Sequence, residues 1–356
     1  MKRKLLAGLL AMSMTVAMLT GCASGGGGSA APAEDAAAEA ESTDTAEATD
    51  TEAAEDASAE DTAAEAPAGD GKYTIGVSIY YYSEFITLMC EGIEEKADEL
   101  GVDVVILDAN NDSANQITQL ENLIAQKVDA LLVAAVDSDA IVPALDMAEE
   151  AGIPLVGVNM TINTDEEYWY VGPDDVLAGE LEAQAAIDKI GGKGNVVILE
   201  GPIGQSAQLD RMEGNQNVLA ENPDITLLAN QTANWSRDEA VSIMENWLQA
   251  YPDINAVIAH NDEMALGAIQ AIEAAGKMDE ITVTGVDAIK DGCNAVKEGT
   301  LLGTVYQDAK LEGGNGLQLC YDILTGNEPA QKFNLIDMTL ITQENVDDLL
   351  TTLYAD

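Results

Sequence analysis

Ala256-Val257-Ile258-Ala259-His260-Asn261-Asp262-Glu263-Met264-Ala265-Leu266-Gly267-Ala268 places four apolar residues, a polar turn and an amphipathic continuation in direct succession. The apolar run predicts a buried strand. Behind the turn, Ala265, Ile269 and Ile272 recur at helical spacing until Gly276 supplies a stop, which predicts a helix. Asn261 and Asp262 both carry the short side-chain oxygen that accepts an unpaired N–H of a first helical turn, so either can serve as N-cap. Strand, polar turn and helix make the repeating unit of a parallel sheet, and in open parallel sheets ligands bind at the carboxyl ends of the strands, where such turns lie. The polar groups of this turn are therefore candidates to face a ligand as well as to cap a helix.

The unit recurs outward in both directions. Upstream, strands are expected at residues 73–79, 104–107, 130–135 and 155–158, alternating with helices whose apolar faces carry Ile86, Cys90, Ile93 and Ala97 in the first and Ile117, Leu120 and Ile124 in the second. After Gly172-Pro173-Asp174 the order starts again, with a helix at 176–190, strands at 195–199 and 226–229, the opening stretch, and a strand at 281–286 that ends on Asp287. Near-continuous apolar strands such as 130–135 fit burial on both faces. The segment from Val128 to Asn159 parallels the one from Ile254 to Asp287, so that Asp137-Ser138-Asp139 answers Asn261-Asp262-Glu263 and Asn159 answers Asp287. The expected fold is α/β, with two similar Rossmann-like lobes of parallel sheet and a ligand cleft between them.

The two ends and the composition narrow the function. The balance of 64 Asp and Glu against 15 Lys and Arg argues against nucleic acid, because neutralising phosphates requires clustered positive charge. Residues 1–22 read as a secretory signal: Lys2, Arg3 and Lys4, an apolar run to Leu19, then Thr20-Gly21-Cys22. Leu19-Thr20-Gly21-Cys22 resembles the bacterial lipobox, which implies lipidation of Cys22 and a membrane anchor without a transmembrane helix. Residues 23–71 hold 14 acidic residues and no Lys or Arg, and such a segment repels itself and has little to bury, so a disordered tether is expected.

Three further cysteines, Cys90, Cys293 and Cys320, have no paired spacing and predict neither a disulfide framework nor a metal site; a Cys90–Cys320 bridge stays open if their helices are neighbours. His260 is the only histidine, which removes His-based metal clusters and a serine triad. Gly191-Gly192-Lys193-Gly194 precedes a strand instead of following one, so it is a turn and no phosphate cradle. The expectation is a protein that is not an enzyme and has no cofactor.

Taken together, residues 259–268, the paired halves and the Cys22 signal resemble the ribose-type sugar-binding proteins, substrate-binding lipoproteins of ABC transporters in the periplasmic-binding-protein type I family, over residues 72–356. The resemblance implies a three-crossing hinge, near Gly172, Gln307 and Leu335. It implies lobes of residues 72–172 plus 309–336 and of 173–308 plus 337–356. Carried over position by position, the ligand contacts fall on Ser83, Phe85, Asn159, Trp235, Asn261, Asp287 and Gln307, which leaves Asp262 as the helix cap. Met160 and Leu209 stand where the ribose-type pattern has arginines, and Arg211 and Arg237 read as structural residues near helix starts. Met160, Tyr80, Tyr82, Glu84, Gln208 and Asp210 are further candidates to face the ligand, the last five each weighed against a plain solvated loop residue. The implied function is an extracytoplasmic solute receptor, monomeric and held to the bacterial cell membrane by Cys22, that delivers a sugar, polyol or similar solute to permease subunits. The alternative is a sensory lipoprotein signalling to a receptor kinase or chemoreceptor.

Overall fold

The computed structural model of the protein describes residues 73–354, and the expected signal, lipidated Cys22 and acidic tether fall outside the described residues. The first half runs β1 (Thr74–Ile79), α1 (Glu84–Leu100), β2 (Asp103–Asp108), α2 (Ser113–Gln126), β3 (Ala130–Val133), α3 (Val142–Ala151), β4 (Leu155–Val158) and β5 (Trp169–Pro173). The second runs α4 (Asp175–Lys189), β6 (Gly194–Glu200), α5 (Ser206–Glu221), β7 (Ile225–Thr232), α6 (Arg237–Ala250), β8 (Ala256–Ala259), α7 (Asp262–Ala274), β9 (Thr282–Asp287), α8 (Lys290–Glu298) and β10 (Gly303–Tyr306). The chain finishes with α9 (Ala309–Thr325), β11 (Phe333–Ile336), β12 (Thr339–Ile341) and α10 (Val346–Leu353).

Two six-stranded sheets result, in the orders β11-β5-β4-β3-β1-β2 and β12-β10-β9-β8-β6-β7. Read from the inner strand outward, the two orders are the same path, which is the structural form of the repeat in the sequence. Every ladder is parallel except β10 with β12. The chain passes between the sheets three times: from β5 to α4, from β10 to α9, and from β11 to β12. Helices α1 and α9 cover one face of the first sheet and α2 and α3 the other, while α4 and α5 lie across the second sheet from α6 and α7. All four residues of β8, the apolar run of the opening stretch, are fully buried, as a central parallel strand requires.

Local chemistry sets the helix starts. Ser83, Asp112, Asp174, Ser236, Asn261 and Asp308 each cap a helix with a side-chain oxygen. All six follow a strand or its loop, so the caps collect near the strands' carboxyl ends. Asn261 is the cap of α7, its Oδ1 accepting the Met264 N–H at 3.0 Å. This corrects the expectation that Asp262 caps. Asp262 is instead fully buried inside the first turn, where its Oδ2 accepts the N–H of Ile289 at 3.1 Å and joins α7 to α8.

Two further differences have simple causes. The strand expected at 226–229 extends over Ile225–Thr232, because as an edge strand it mixes half-buried and exposed residues that carry no continuous apolar signal. Cys90, Cys293 and Cys320 are buried free thiols, so the Cys90–Cys320 bridge is not formed although α1 and α9 are neighbours.

Candidate functional site

A small cavity lies between the two lobes at the carboxyl ends of β1, β4, β8 and β9. Ser83, Phe85, Asn159, Trp235, Asn261, Asp287 and Gln307 all border it, together with Met160 and Tyr80. Two wider grooves at the opposite, amino ends of the strands, around Asn255 and Thr282 in one lobe and Leu155 and Trp169 in the other, have no buried charged or amide side chain in their walls.

The lobes meet directly around the cavity. Ser138 donates from its N–H (2.9 Å) and its Oγ (3.0 Å) to the Gly204 carbonyl, the Thr161 N–H donates to Ser206 Oγ at 2.8 Å, and the Lys290 N–H donates to Glu84 at 3.1 Å. Asp137-Ser138-Asp139 therefore does not border the cavity as the counterpart of Asn261; it closes onto the Gly204 loop. Glu84, a candidate ligand contact by sequence, is likewise a bridge between lobes. Tyr82 is half exposed, Gln208 donates to Glu200 at 2.6 Å, and neither they nor Asp210 reach the cavity wall. Burial, with Asp175 and Glu213 nearby, pushes the Asp210 carboxyl up to about 6.

Arg211, read from the sequence as a structural residue near a helix start, turns out to border the cavity. Leu209 is half exposed, whereas Arg211 is buried and borders the cavity. Two residues apart on α5, they point to opposite sides, and it is the helical period of Gln208, Arg211 and Asn215 that marks the inner face. Gly179 of α4 lets the helices approach here; a Cβ on it would sit 2.2 Å from the Arg211 carbonyl oxygen. The guanidinium pairs with Asp175 at 2.8 Å, donates to the His260 carbonyl, and donates to Gln307 Oε1 at 3.2 Å. Burial works against its charge, and Asp175, Asp287 and Glu182 more than offset that, so its pKa is raised. The site therefore does contain a planar cationic donor.

Gln307 is spent at both ends, because its Nε2 donates to Asp287 Oδ1 at 2.9 Å while its Oε1 accepts from Arg211. Placed just after β10, where the chain crosses between lobes, it holds the cation and the carboxylate in register. Burial lifts the Asp287 carboxyl to about 7, against the opposing pull of Arg211 and Gln307. His260, next to the cavity residues, is fully buried; burial and then Arg211 lower its pKa to about 3, which keeps the imidazole neutral. Trp235 donates its Nε1–H to Gln205 Oε1 at 2.6 Å and lies 5.6 Å from the Arg211 guanidinium, centroid to carbon. Three of the cavity residues, Asn159 (φ 63), Trp235 (φ 59) and Asp287 (φ 115), hold positive φ without being glycine. Backbone strain of this kind collects at ligand clamps.

Two lobes of parallel sheet closed over a cavity lined by amide, carboxylate, guanidinium and aromatic groups define a solute-binding protein of the two-lobed class. The family model described as "Periplasmic binding protein domain" matches residues 75–328. The xylitol-binding protein of Mycolicibacterium smegmatis is 43% identical over 286 residues, 80% of this chain and 81% of its own length. The ribose import binding protein of Bacillus subtilis is 38% identical over 274 residues, 77% of this chain and 88% of its own. A solved ABC transporter solute binding protein from Bacillus halodurans C-125 with bound myo-inositol superposes with a TM-score of 0.75 at 37% identity, covering 78% of this chain and 97% of that one. The chain belongs to the type I periplasmic binding proteins of the ribose-type sugar transporter family, whose members work outside the cytoplasm.

Proposed function

We propose that the chain is the solute-binding subunit of an ABC importer, that it closes over one small polyhydroxylated molecule such as a polyol, cyclitol or sugar, and that it hands the closed complex to the permease. The observation that carries this reading is the convergence of Ser83, Phe85, Asn159, Trp235, Asn261, Asp287 and Gln307, drawn from both lobes, on one cavity. The relatives named for xylitol and ribose, and the solved solute binding protein with bound myo-inositol, support the same class.

Each hydroxyl of such a solute both donates and accepts. Asp287 and Asn159 supply acceptors, Arg211 supplies a donor, and Asn261, whose Oδ1 is engaged in the cap, keeps its Nδ2 for donation. Phe85 and Trp235 cover the C–H faces. Met160 puts a thioether where the ribose-type pattern has an arginine, so a solute rich in its own hydroxyl donors is favoured over an aldopentose. Because residues from both lobes are needed to complete the contacts, ligand binds the closed form better than the open one, and the differential affinity drives closure. The protein acts as a monomer, and lipidation of Cys22 with a tether over residues 23–71 holds it at the membrane beside the permease.

Calorimetry and thermal shift with xylitol, myo-inositol, D-ribose and D-allose test the reading. A cognate solute at 100 times its Kd stabilises the native state by about 2.7 kcal/mol. For a chain of this size that is a rise in Tm of roughly 5 °C. No shift with any polyhydroxylated solute in a wider panel overturns the substrate class.

A further inference from the structure

We propose that Glu312 is a positioning residue for the binding site: it fixes the side-chain amide of Asn159 so that Asn159 meets the bound solute with its carbonyl oxygen. The inference rests on the cavity being the solute site and concerns which hydrogen-bonding face that site presents.

Asn159 is held at three other points already. Its N–H donates to the Val171 carbonyl at 3.0 Å, its carbonyl accepts the Tyr170 hydroxyl at 3.0 Å, and its backbone is in the left-handed region. What remains free to choose is the side-chain amide, whose two ends differ only in being donor or acceptor. Glu312 makes the choice: its Oε2 accepts the Asn159 Nδ2–H at 2.9 Å, across 153 residues of sequence. The Tyr80 hydroxyl donates to Oδ1 at 3.4 Å, which leaves that oxygen a second lone pair for the solute, and Tyr80 and Asn159 both border the cavity whereas Glu312 does not.

Glu312 is suited to this by its place. It is fully buried in the first turn of α9, four residues after Asp308, the residue that caps α9 where the chain re-enters the first lobe. Its Oε1 is buried without a partner among the described residues, so among these Asn159 is the only side chain that engages the carboxyl. The ionisable groups around it are Asp175 of α4, Arg211 of α5, Asp287 at the end of β9, and Tyr80 and Tyr170 of β1's end and β5. Burial above all, with Asp175 and Asp287 adding to it against Asn159 and Arg211, raises the Glu312 carboxyl well above the usual carboxylate range. A neutral carboxyl still accepts the amide hydrogen, and a glutamine at the same position would do the same.

The test is spectroscopic and calorimetric on the same samples. In ¹⁵N-labelled wild-type protein without ligand, one Asn159 side-chain proton, assigned by its loss in Asn159→Ala, is shifted downfield and slow to exchange. Glu312→Gln keeps that signature, and Glu312→Met returns both Asn159 protons to the free-amide range. Affinity for xylitol and myo-inositol stays within about twofold in Glu312→Gln and falls by about tenfold or more in Glu312→Met, the effect of freeing a buried amide to misalign. Unchanged Asn159 resonances in Glu312→Met, or unchanged affinity once they have moved, overturn the proposal. If wild-type protein binds neither polyol, the affinity arm moves to whichever solute of the panel it does bind; if it binds none, the proposed function fails, and the resonances alone still decide the positioning role. If Glu312→Met does not fold, an Asn159 side chain with two ordinary, freely exchanging protons in the wild type overturns it.

Discussion

Replacing Gly201 by alanine should close part of the cavity by pushing on Trp235 alone. Gly201 follows β6 and does not border the cavity, but the Trp235 ring lies flat enough on it that a Cβ would sit 2.1 Å from Cη2 and from Cζ2 and 2.7 Å from Cε2. Ordinary carbon contacts begin near 3.5 Å, so the ring has to withdraw by roughly 1.4 Å. Its retreat is constrained, because Nε1 is tied to Gln205 and the backbone already holds φ 59. Gly201 itself is outside the positive-φ region, so alanine brings no backbone conflict of its own. Overpacking of this kind costs about 1–3 kcal/mol. Taken on the ligand side, that is a loss of about 5- to 150-fold in affinity. Calorimetric titration with the tightest binder among xylitol, myo-inositol, D-ribose and D-allose measures it. The decisive comparison is a double-mutant cycle with Trp235→Ala: once the indole is gone the added methyl has nothing to displace, and Gly201→Ala should weaken binding no further. Equal losses from Gly201→Ala in both backgrounds refute the steric argument.

Glu84→Ala removes the bond from the Lys290 N–H that ties the lobes together, so in stopped-flow measurements ligand should leave faster and affinity drop about 3- to 10-fold while the ligand-free Tm is unchanged. Burial pushes the Glu182 carboxyl, fully buried with one oxygen on the Asn215 amide, from 4.5 up to about 8. Below pH 4.5 the group is neutral in folded and unfolded chains alike. As pH rises the unfolded chain ionises first, so wild type loses stability relative to Glu182→Gln up to about pH 8 and holds a constant deficit above it, on the order of a few kcal/mol by denaturant titration. A pH-independent gap refutes the burial argument. Cys22→Ser should move the protein from the membrane fraction to the soluble extracytoplasmic one, read by fractionation and by loss of labelled fatty acid.

What was legible in the sequence was local. A strand of four apolar residues, a polar cap and a helical period are contiguous in the chain, so the opening stretch announced β8, its turn and α7, and the repeat of that unit announced two lobes. Contacts placed at strand ends, such as Asn159, Asp287 and Asn261, converge because a parallel sheet brings all its carboxyl ends to one side. What was missed depends on helix phase or on distant partners. Arg211 was read as structural, yet it lies two residues and so roughly 200° round the helix from the exposed Leu209, and the buried set of Gln208, Arg211 and Asn215 held the phase information. Glu312 had no signal at all, since its partner lies 153 residues away and its neighbours in sequence form an ordinary helix start.

The acid excess of the chain, a formal −49, invites the reading that the site captures cations by long-range attraction. The geometry opposes it. Among the buried acids next to the cavity, Asp175 is neutralised by Arg211 at 2.8 Å, Glu182 and Glu312 are pushed towards their neutral forms by burial, and Asp287 is lifted to about 7. His260 is neutral as well. Near neutral pH the cluster thus carries little net charge, and what it offers the cavity is a set of oriented donors and acceptors. Fixed dipoles in a buried site discriminate by leaving a buried partner unpaired when a hydroxyl is missing or misplaced, which is a stronger filter for neutral polyols than charge would be. The surface acidity and the site chemistry are therefore separate properties: the first keeps the exposed face solvated, and the second works because burial has suppressed most of the charge that composition would assign to it.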